Sequence, residues 1–474
     1  MSRIIEIDPV TRIEGHAKIT LHLDDNEEVQ DARLHITQFR GFEKFVEGRP
    51  FHEMPSLMAR ICGICPVSHL VASAKACDAL MAVRVPETGV LLRKFMNLAQ
   101  IVQSHALSFF HLSSPDLLLG LDSDPAKRNI LGLAAVNPAV ARDGIALRRF
   151  GQKAIELLGG RRVHPAWIVP GGVSSPLTAE NRDALRASLP EAFAIAERTL
   201  EWFVPLMPRF VEEIRTLGQF PSHYMAMLDE NGRWEHYAGK LAVVNPQGKI
   251  VREIESARYQ DVIGEAVEDW SYLKFPYYKH LGYPDGLYRV GPLARLNAAK
   301  GFGTPKADHA FAEYRKMENG PVTSSFHQHY GRLVEILGAL EEMQAILDDP
   351  RILDTRVRAE AGANASEGVG MSEAPRGTLI HHYKIDDRGL ITWANLIIAT
   401  GHNNLAMNKG ILQAAKIYVK AGKLQEGMLN RVEAVIRSYD PCLSCSTHAA
   451  GAMPLHIQLV APGGAVLDEL RRGA

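Results

Sequence analysis

Cysteine is scarce and odd in number: five residues in a chain of 474, at positions 62, 65, 77, 442 and 445. So few thiols in so long a chain exclude a disulfide framework and point to metal or redox use in a reducing compartment. Excess charge of either sign is also missing, with 53 Lys and Arg against 54 Asp and Glu. That balance, without any basic stripe, excludes a polyanionic partner such as nucleic acid. No run of 18 or more apolar residues occurs, and Met1 to Pro9 lack a basic segment followed by an apolar one. The expectation is a cytoplasmic chain with neither membrane span nor export signal. Internal repeats, low-complexity segments and linkers are absent too. The composition, 46% hydrophobic and 23% charged, is that of a globular chain able to bury a sizeable core.

The first forty residues alternate apolar and polar side chains (Ile5/Ile7, Ala17/Ile19/Leu21/Leu23, Leu34/Ile36), with the acidic turn Asp24-Asp25-Asn26-Glu27 between the second and third runs. This pattern predicts strands with one hairpin. Apolar residues three and four apart then predict helices over 53–60, 68–82, 87–112, 138–158, 180–217, 326–347, 403–421 and 424–438. Two β-like stretches, 222–257 and 378–399, surround the turn sequences Asp229-Glu-Asn-Gly232 and Asp386-Asp-Arg-Gly389. The expected fold class is α+β and predominantly helical: a large helical core, an N-terminal β hairpin or sheet, and further small β elements.

Two C-x-x-C pairs carry the chemistry, Cys62-Gly-Ile-Cys65 and Cys442-Leu-Ser-Cys445. Thiolates at this spacing can face one metal, and soft sulfur selects zinc, copper(I), nickel or iron–sulfur clusters over hard cations. Spacing alone favours a structural four-cysteine zinc site. A thioredoxin-like redox pair follows, although neither pair sits in a clear strand–turn–helix unit. Length by itself suggests about three domains. A site shared by pairs at opposite ends of the chain instead makes residues 1–448 one unit. Cys77 belongs to neither pair and reads as a buried small hydrophobe.

The flanking residues go further. Arg60-Ile-Cys-Gly-Ile-Cys-Pro-Val-Ser-His69 and Asp440-Pro-Cys-Leu-Ser-Cys-Ser-Thr-His448 resemble the two signature motifs of nickel–iron hydrogenase large subunits. Ile7-Asp-Pro-Val-Thr-Arg-Ile-Glu-Gly-His16, Phe39-Arg-Gly-Phe-Glu43 and Glu373-Ala-Pro-Arg-Gly377 resemble further motifs of that family, in family order from residue 7 to 448. The resemblance implies a catalytic subunit that reversibly splits dihydrogen at a nickel–iron centre. In it Cys62 and Cys442 would be terminal nickel ligands, and Cys65 and Cys445 would bridge nickel to iron. The iron would carry cyanide and carbon monoxide installed by accessory proteins.

By the same resemblance Glu14 is the first proton acceptor, since heterolysis needs a nearby base. Read from its neighbours alone, it is a helix or turn acid paired with Arg12. His69 would donate a hydrogen bond to a bridging sulfur, or is simply a buried histidine. Glu43, the backbone carbonyl of Leu396 and His448 would hold magnesium, a hard cation suited to oxygen ligands. Arg376, Asp116 and Asp440 would surround the open face of the metals, or form a buried ion pair. Pro375 and Thr400 would lie against the cofactor, Thr400 bonding a cyanide, although Gly401-His402 departs from the family pattern.

Within the family the motifs, with Glu373 to Tyr383, look most like cytoplasmic bidirectional enzymes that exchange electrons with NAD. The chain has no strand-linked G-x-G-x-x-G and no spare cysteines for an iron–sulfur cluster. Electrons would therefore leave through an iron–sulfur small subunit, and NAD would bind on flavin-containing diaphorase subunits. A hydrogen-sensing relative generally lacks residues beyond the final histidine, and here 449–474 follow it. The related quinone-binding subunit of respiratory NADH dehydrogenase has lost the cysteines. The resemblance also implies a maturation chaperone and an endopeptidase that removes the tail 449–474. Residues 453–460 of that tail read as a strand able to pair with the body and hold Cys442 and Cys445 away from their closed position until metals arrive, or as a permanent C-terminal strand.

Overall fold

The computed structural model describes residues 4–420, 423–448, 455–461 and 465–472. Strands β1 (Ile4–Ile7), β2 (Ala17–Leu23) and β3 (Val29–Ile36) form an antiparallel sheet in sequence order. The β2–β3 turn falls where Asp24 Oδ1 accepts the N–H groups of Asn26 and Glu28, both at 2.9 Å, an Asx-type turn. The connection from β1 to β2 is a loop, residues 8–16, and it carries Glu14.

Helices α1 (Pro66–Met81), α2 (Glu87–Ala106), α3 (Pro138–Gly159) and α4 (Ala179–Leu206) follow. Expected helix 87–112 changes to a π-helix at Leu107–Ser113. Expected helix 180–217 breaks at Pro205 and Pro208 into a 3₁₀ turn, Met207–Phe210, and a short helix, Val211–Thr216, because proline removes a donor and clashes with the preceding turn. Expected helix 53–60 is the single turn Met54–Met58 followed by 3₁₀ residues 59–61.

A mixed sheet contains β4 (His223–Leu228), β5 (Lys240–Val244), β6 (Ile250–Ile254) and the parallel edge strand β7 (Tyr288–Arg289). Next come α5 (Pro292–Ala298) and α6 (Gln328–Asp348). The antiparallel meander β8 (Glu367–Ala374), β9 (Gly377–Ile385) and β10 (Ile391–Ile397) leads to α7 (Asn404–Tyr418) and α8 (Glu426–Tyr439). Expected helix 403–421 ends at Tyr418 with Val419 as its cap, and position 421 lies outside the described residues.

Strand β8 escaped the sequence pattern because of its glycines. A Cβ at Gly370 would stand 1.9 Å from the carbonyl oxygen of Ala72, and one at Gly368 would stand 2.3 Å from that of Ala76. Only a bare backbone lets α1 lie so close on the sheet. Helix α5 was missed for a different reason: all seven of its residues are buried, so no polar face marks its period. α2, α3, α4 and α6 pack on one another in the main apolar core. A second cluster, centred on α1, β9 and β10, encloses the four paired cysteines.

Among the described residues no helix is long and apolar enough to cross a membrane. The tail forms its own hairpin, β11 (Leu455–Val460) with β12 (Val466–Arg472).

Candidate metal centre

The first cysteine pair lies where the chain turns from the 3₁₀ residues 59–61 into α1. Cys62 is extended, and Cys65 is the N-cap of α1 with Pro66 in the first helical position. Proline is preorganised there and lacks a donor that would go unused. The N–H groups of Ile64 and Cys65 donate to Cys62 Sγ at 3.2 and 3.1 Å. The second pair follows α8, which ends at Asp440 in the left-handed region (φ 53°). Cys442 then forms a parallel bridge with Glu14, and its N–H donates to Thr400 Oγ1 at 2.9 Å.

These two turns bring all four sulfurs within 4.8 Å of one another. Cys62 Sγ is 3.5 Å from Cys442 Sγ, and Cys65 Sγ is 4.0 Å from Cys445 Sγ. All four are free thiols at 5% exposure or less. Hydrogen bonds from Cys442, Cys445 and Cys62 hold the Cys65 thiol well below its ordinary range, while burial pushes Cys442 and Cys445 well above theirs. Four buried thiolates repel one another and lose hydration, so the cluster ionises fully only around cations. Their number, softness and separation fit more than one thiophilic metal.

The cluster opens onto a cavity of about 10 Å³, lined by Cys65, Cys442, Cys445, His69, Arg376 and Thr400 among others. His69 adjoins Cys65 and helps hold that thiol down, and its Nδ1 lies 3.1 Å from Nε2 of His381. His381 Nδ1 is 2.5 Å from the Tyr383 hydroxyl, which donates to Ser73 Oγ at 2.9 Å. Arg376 donates from Nε to the Asp440 carbonyl at 2.5 Å and from Nη2 to Asp440 Oδ1 at 3.2 Å. Asp440 Oδ2 has no hydrogen-bond partner among the described residues.

Asp116 sits in a different network. It accepts from Arg12 at 2.6 Å, Arg437 at 3.0 Å and Asn430 at 3.0 Å. With Arg12 so engaged, Glu14 is held instead by Ser444. Pro375 contributes its carbonyl to Arg295 at 3.1 Å.

Glu43 Oε1 accepts the Leu396 N–H at 2.8 Å and faces Lys274 Nζ at 3.4 Å. The Glu43 N–H donates to the His448 carbonyl at 3.3 Å, and the His448 ring packs 5.1 Å from Phe42. That residue is 2% exposed, yet neither ring nitrogen has a hydrogen-bond partner among the described residues. Orphaned buried donors and acceptors of this kind call for a ligand or ion.

With the tail still attached, the sulfurs are together and His448 is buried. Among the described residues the strand 455–460 pairs with β12. Cys77 is buried, with its thiol donating to the Phe51 carbonyl at 3.2 Å.

Sequence reasoning missed Ser444, His381, Lys274 and Arg295. Ser444 and His381 stood inside quoted motifs, but nothing local assigns them partners.

A buried four-thiol cluster built from both ends of an α+β chain defines a thiolate metalloprotein. Comparison with known proteins narrows the class. A HoxL-like family model matches residues 4–39, and the nickel-dependent hydrogenase model matches 40–132 and 230–448. The chain is 41% identical to the NAD-reducing hydrogenase HoxS subunit beta of Cupriavidus necator, covering 100% of both chains. It is 43% identical to the matching component of the F420-non-reducing hydrogenase vhc of Methanococcus voltae, over 98% of this chain and 99% of that one. A crystal structure of an NAD+-reducing [NiFe]-hydrogenase in the H2-reduced state superposes with a TM-score of 0.91 at 43% identity, covering 94% of this chain and 99% of that one. The chain belongs to the nickel-dependent hydrogenase family, as a large, catalytic subunit of the nickel–iron type. Its relatives are components of multi-subunit hydrogenases.

Proposed function

We propose that this chain binds nickel and iron through Cys62, Cys65, Cys442 and Cys445 and interconverts dihydrogen with protons and electrons for NAD. The observation that carries the reading is the convergence of four buried sulfurs within 4.8 Å. Sulfur-rich coordination supplies an electron-donating metal pair able to bind and polarise a weak ligand such as dihydrogen. These four thiolates would hold the metals, Cys62 and Cys442 as terminal ligands and Cys65 and Cys445 as shared ones.

Glu14 receives the proton, held beside the second pair by its bridge to Cys442. His69 donates to the Cys65 sulfur and so limits the charge that sulfur carries. Arg376 keeps a fixed positive charge beside the thiols, braced on Asp440. Asp116 acts at greater remove, fixing Arg12 in the loop that carries Glu14. The Thr400 oxygen already accepts the Cys442 N–H, which leaves its O–H free to donate to a cyanide on iron. Cyanide and carbon monoxide are the ligands expected there. Magnesium belongs with Glu43, the Leu396 carbonyl and His448, supported by the two unpartnered ring nitrogens of His448.

Electrons pass to the iron–sulfur small subunit, then to flavin-containing diaphorase subunits that bind NAD, in the cytoplasm. A maturation chaperone and an endopeptidase complete the partners, residues 1–448 being the mature domain.

The test is nickel and iron analysis of the purified complex, together with hydrogen-dependent reduction of a dye and of NAD. Nickel and iron with both activities are expected. Zinc in the site and no hydrogen uptake would overturn the reading. Dye reduction without NAD reduction would overturn only the acceptor.

A further inference from the structure

All five N–H donors of Arg295 are committed. Its Nε and Nη2 donate to the two carboxylate oxygens of Glu335, both at 2.6 Å, and Nη1 donates to Glu373 Oε2 at 2.7 Å. The remaining two donate to the carbonyls of Ala374 at 2.9 Å and Pro375 at 3.1 Å. Arg295, Glu335 and Glu373 are each at 0% exposure. Two carboxylates on one guanidinium leave an excess negative charge, and neighbouring donors offset it. His105 Nε2 lies 2.7 Å from Glu335 Oε2, and Trp234 Nε1 donates to Oε1 at 3.3 Å. Glu373 Oε1 accepts from the Met227 N–H at 3.0 Å and the Thr378 hydroxyl at 2.8 Å.

The two carbonyls held by Arg295 belong to the residues just before Arg376. The network also returns to Arg376 from the other side. Ser104, the neighbour of His105 on α2, accepts from Arg376 Nη1 at 3.4 Å. Helix α5, helix α6, the end of β8 and helix α2 thus meet around one guanidinium, and the turn they grip aims Arg376 into the cavity shared with Cys65, Cys442 and Cys445. A buried ion pair is weak evidence of added stability, because desolvation cancels much of the attraction. What it supplies here is orientation. Lysine has three donors and no planar fork, so it would satisfy the carboxylates only by releasing the carbonyls.

We propose that Arg295 is a positioning residue which, by holding the 374 and 375 carbonyls between Glu335 and Glu373, sets Arg376 at the thiol cluster. This rests on the proposed role of Arg376 at the metals.

The test is a double-mutant cycle in the assembled complex, reading kcat per bound nickel for Arg295→Lys, Arg376→Lys and the pair. Each single change is expected to lower kcat by about 10²-fold, the usual scale for misplacing a catalytic group by about 1 Å. The pair should cost about as much as Arg376→Lys alone. Losses that multiply in the pair would overturn the proposal, since a merely structural defect is independent of Arg376.

Amide hydrogen exchange gives a readout apart from turnover. Arg295→Lys should speed exchange in peptides spanning 374–379, and unchanged protection there would also overturn it. If Arg295→Lys does not accumulate, Glu335→Gln keeps the volume and one acceptor and carries the same cycle and exchange measurement, with a loss of about 10-fold expected. Absence of any hydrogen activity in the wild-type complex would instead defeat the metal-site reading, with the exchange result still judging the clamp.

Discussion

Ser444 holds the Glu14 carboxylate twice, donating its N–H to Oε2 at 3.2 Å and its hydroxyl to Oε1. Glu14 is thereby fixed to the turn that carries Cys442 and Cys445, 430 residues away in sequence. Glu14→Gln preserves the shape but cannot carry a proton. Nickel content should be retained while dihydrogen turnover falls by about 10²–10⁴-fold, the range for a lost general acid–base group. Near-normal turnover in fully metallated Glu14→Gln would show that the carboxylate only braces the turn.

His381 is the partner that orients His69. His381→Leu leaves Nδ1 of His69 facing an apolar side chain, so the ring loses the contact that fixes its donor toward Cys65. Turnover per nickel should drop about 10–100-fold, the scale for partners of ligand-bonded groups. His381→Gln keeps a polar partner in the same place and should recover part of the loss. Equal activity in Leu and Gln variants would remove the hydrogen bond from the account.

Acid should weaken the fold in a defined window. Burial brings His105 down to about 4 from its ordinary 6.5, despite the bond to Glu335. Burial would raise Glu335, but the charge and hydrogen bonds of Arg295 outweigh it and hold Glu335 down to about 2, from 4.5. Both folded values are depressed, so the unfolded chain binds protons that the folded chain excludes. The stability these two groups contribute is complete above about 6.5 and falls with pH, first through the histidine window toward about 4, then through the carboxylate window toward about 2. His105→Gln can still donate to Glu335 without titrating. The decline in thermal midpoint between about pH 6.5 and 4 should flatten in that variant, and an unchanged slope would assign the acid sensitivity to other groups.

The tail offers a mass measurement. If residues 449–474 are removed after metals enter, active nickel-loaded protein should end at His448 by intact mass. A catalytically competent chain retaining Ala449 to Ala474 would refute removal. Because the sulfurs converge with the tail attached, a gene truncated after His448 should still bring the four cysteines together. Its expected defect lies in metal loading, read as nickel per chain relative to wild type.

The sequence by itself settled what depends on short spacing. Cys62 with Cys65 and Cys442 with Cys445 announce soft-metal ligation because two residues between thiols place both on one turn, and their flanks mark the family. Periods of two and 3.6 marked β2, β3 and most long helices, and turn residues between β-rich runs marked β9 and β10. Tertiary structure alone decided the rest. β8 is a strand because Gly368 and Gly370 let α1 touch it, and α5 is a helix without a polar face because it is buried all round. Glu14 belongs to Ser444, Asp116 to Arg12 and Arg437, and Arg295 to the turn before Arg376. Each such pairing joins side chains from distant parts of the chain, and a buried charge takes whichever partner the packed elements bring within hydrogen-bond reach, which no local pattern specifies.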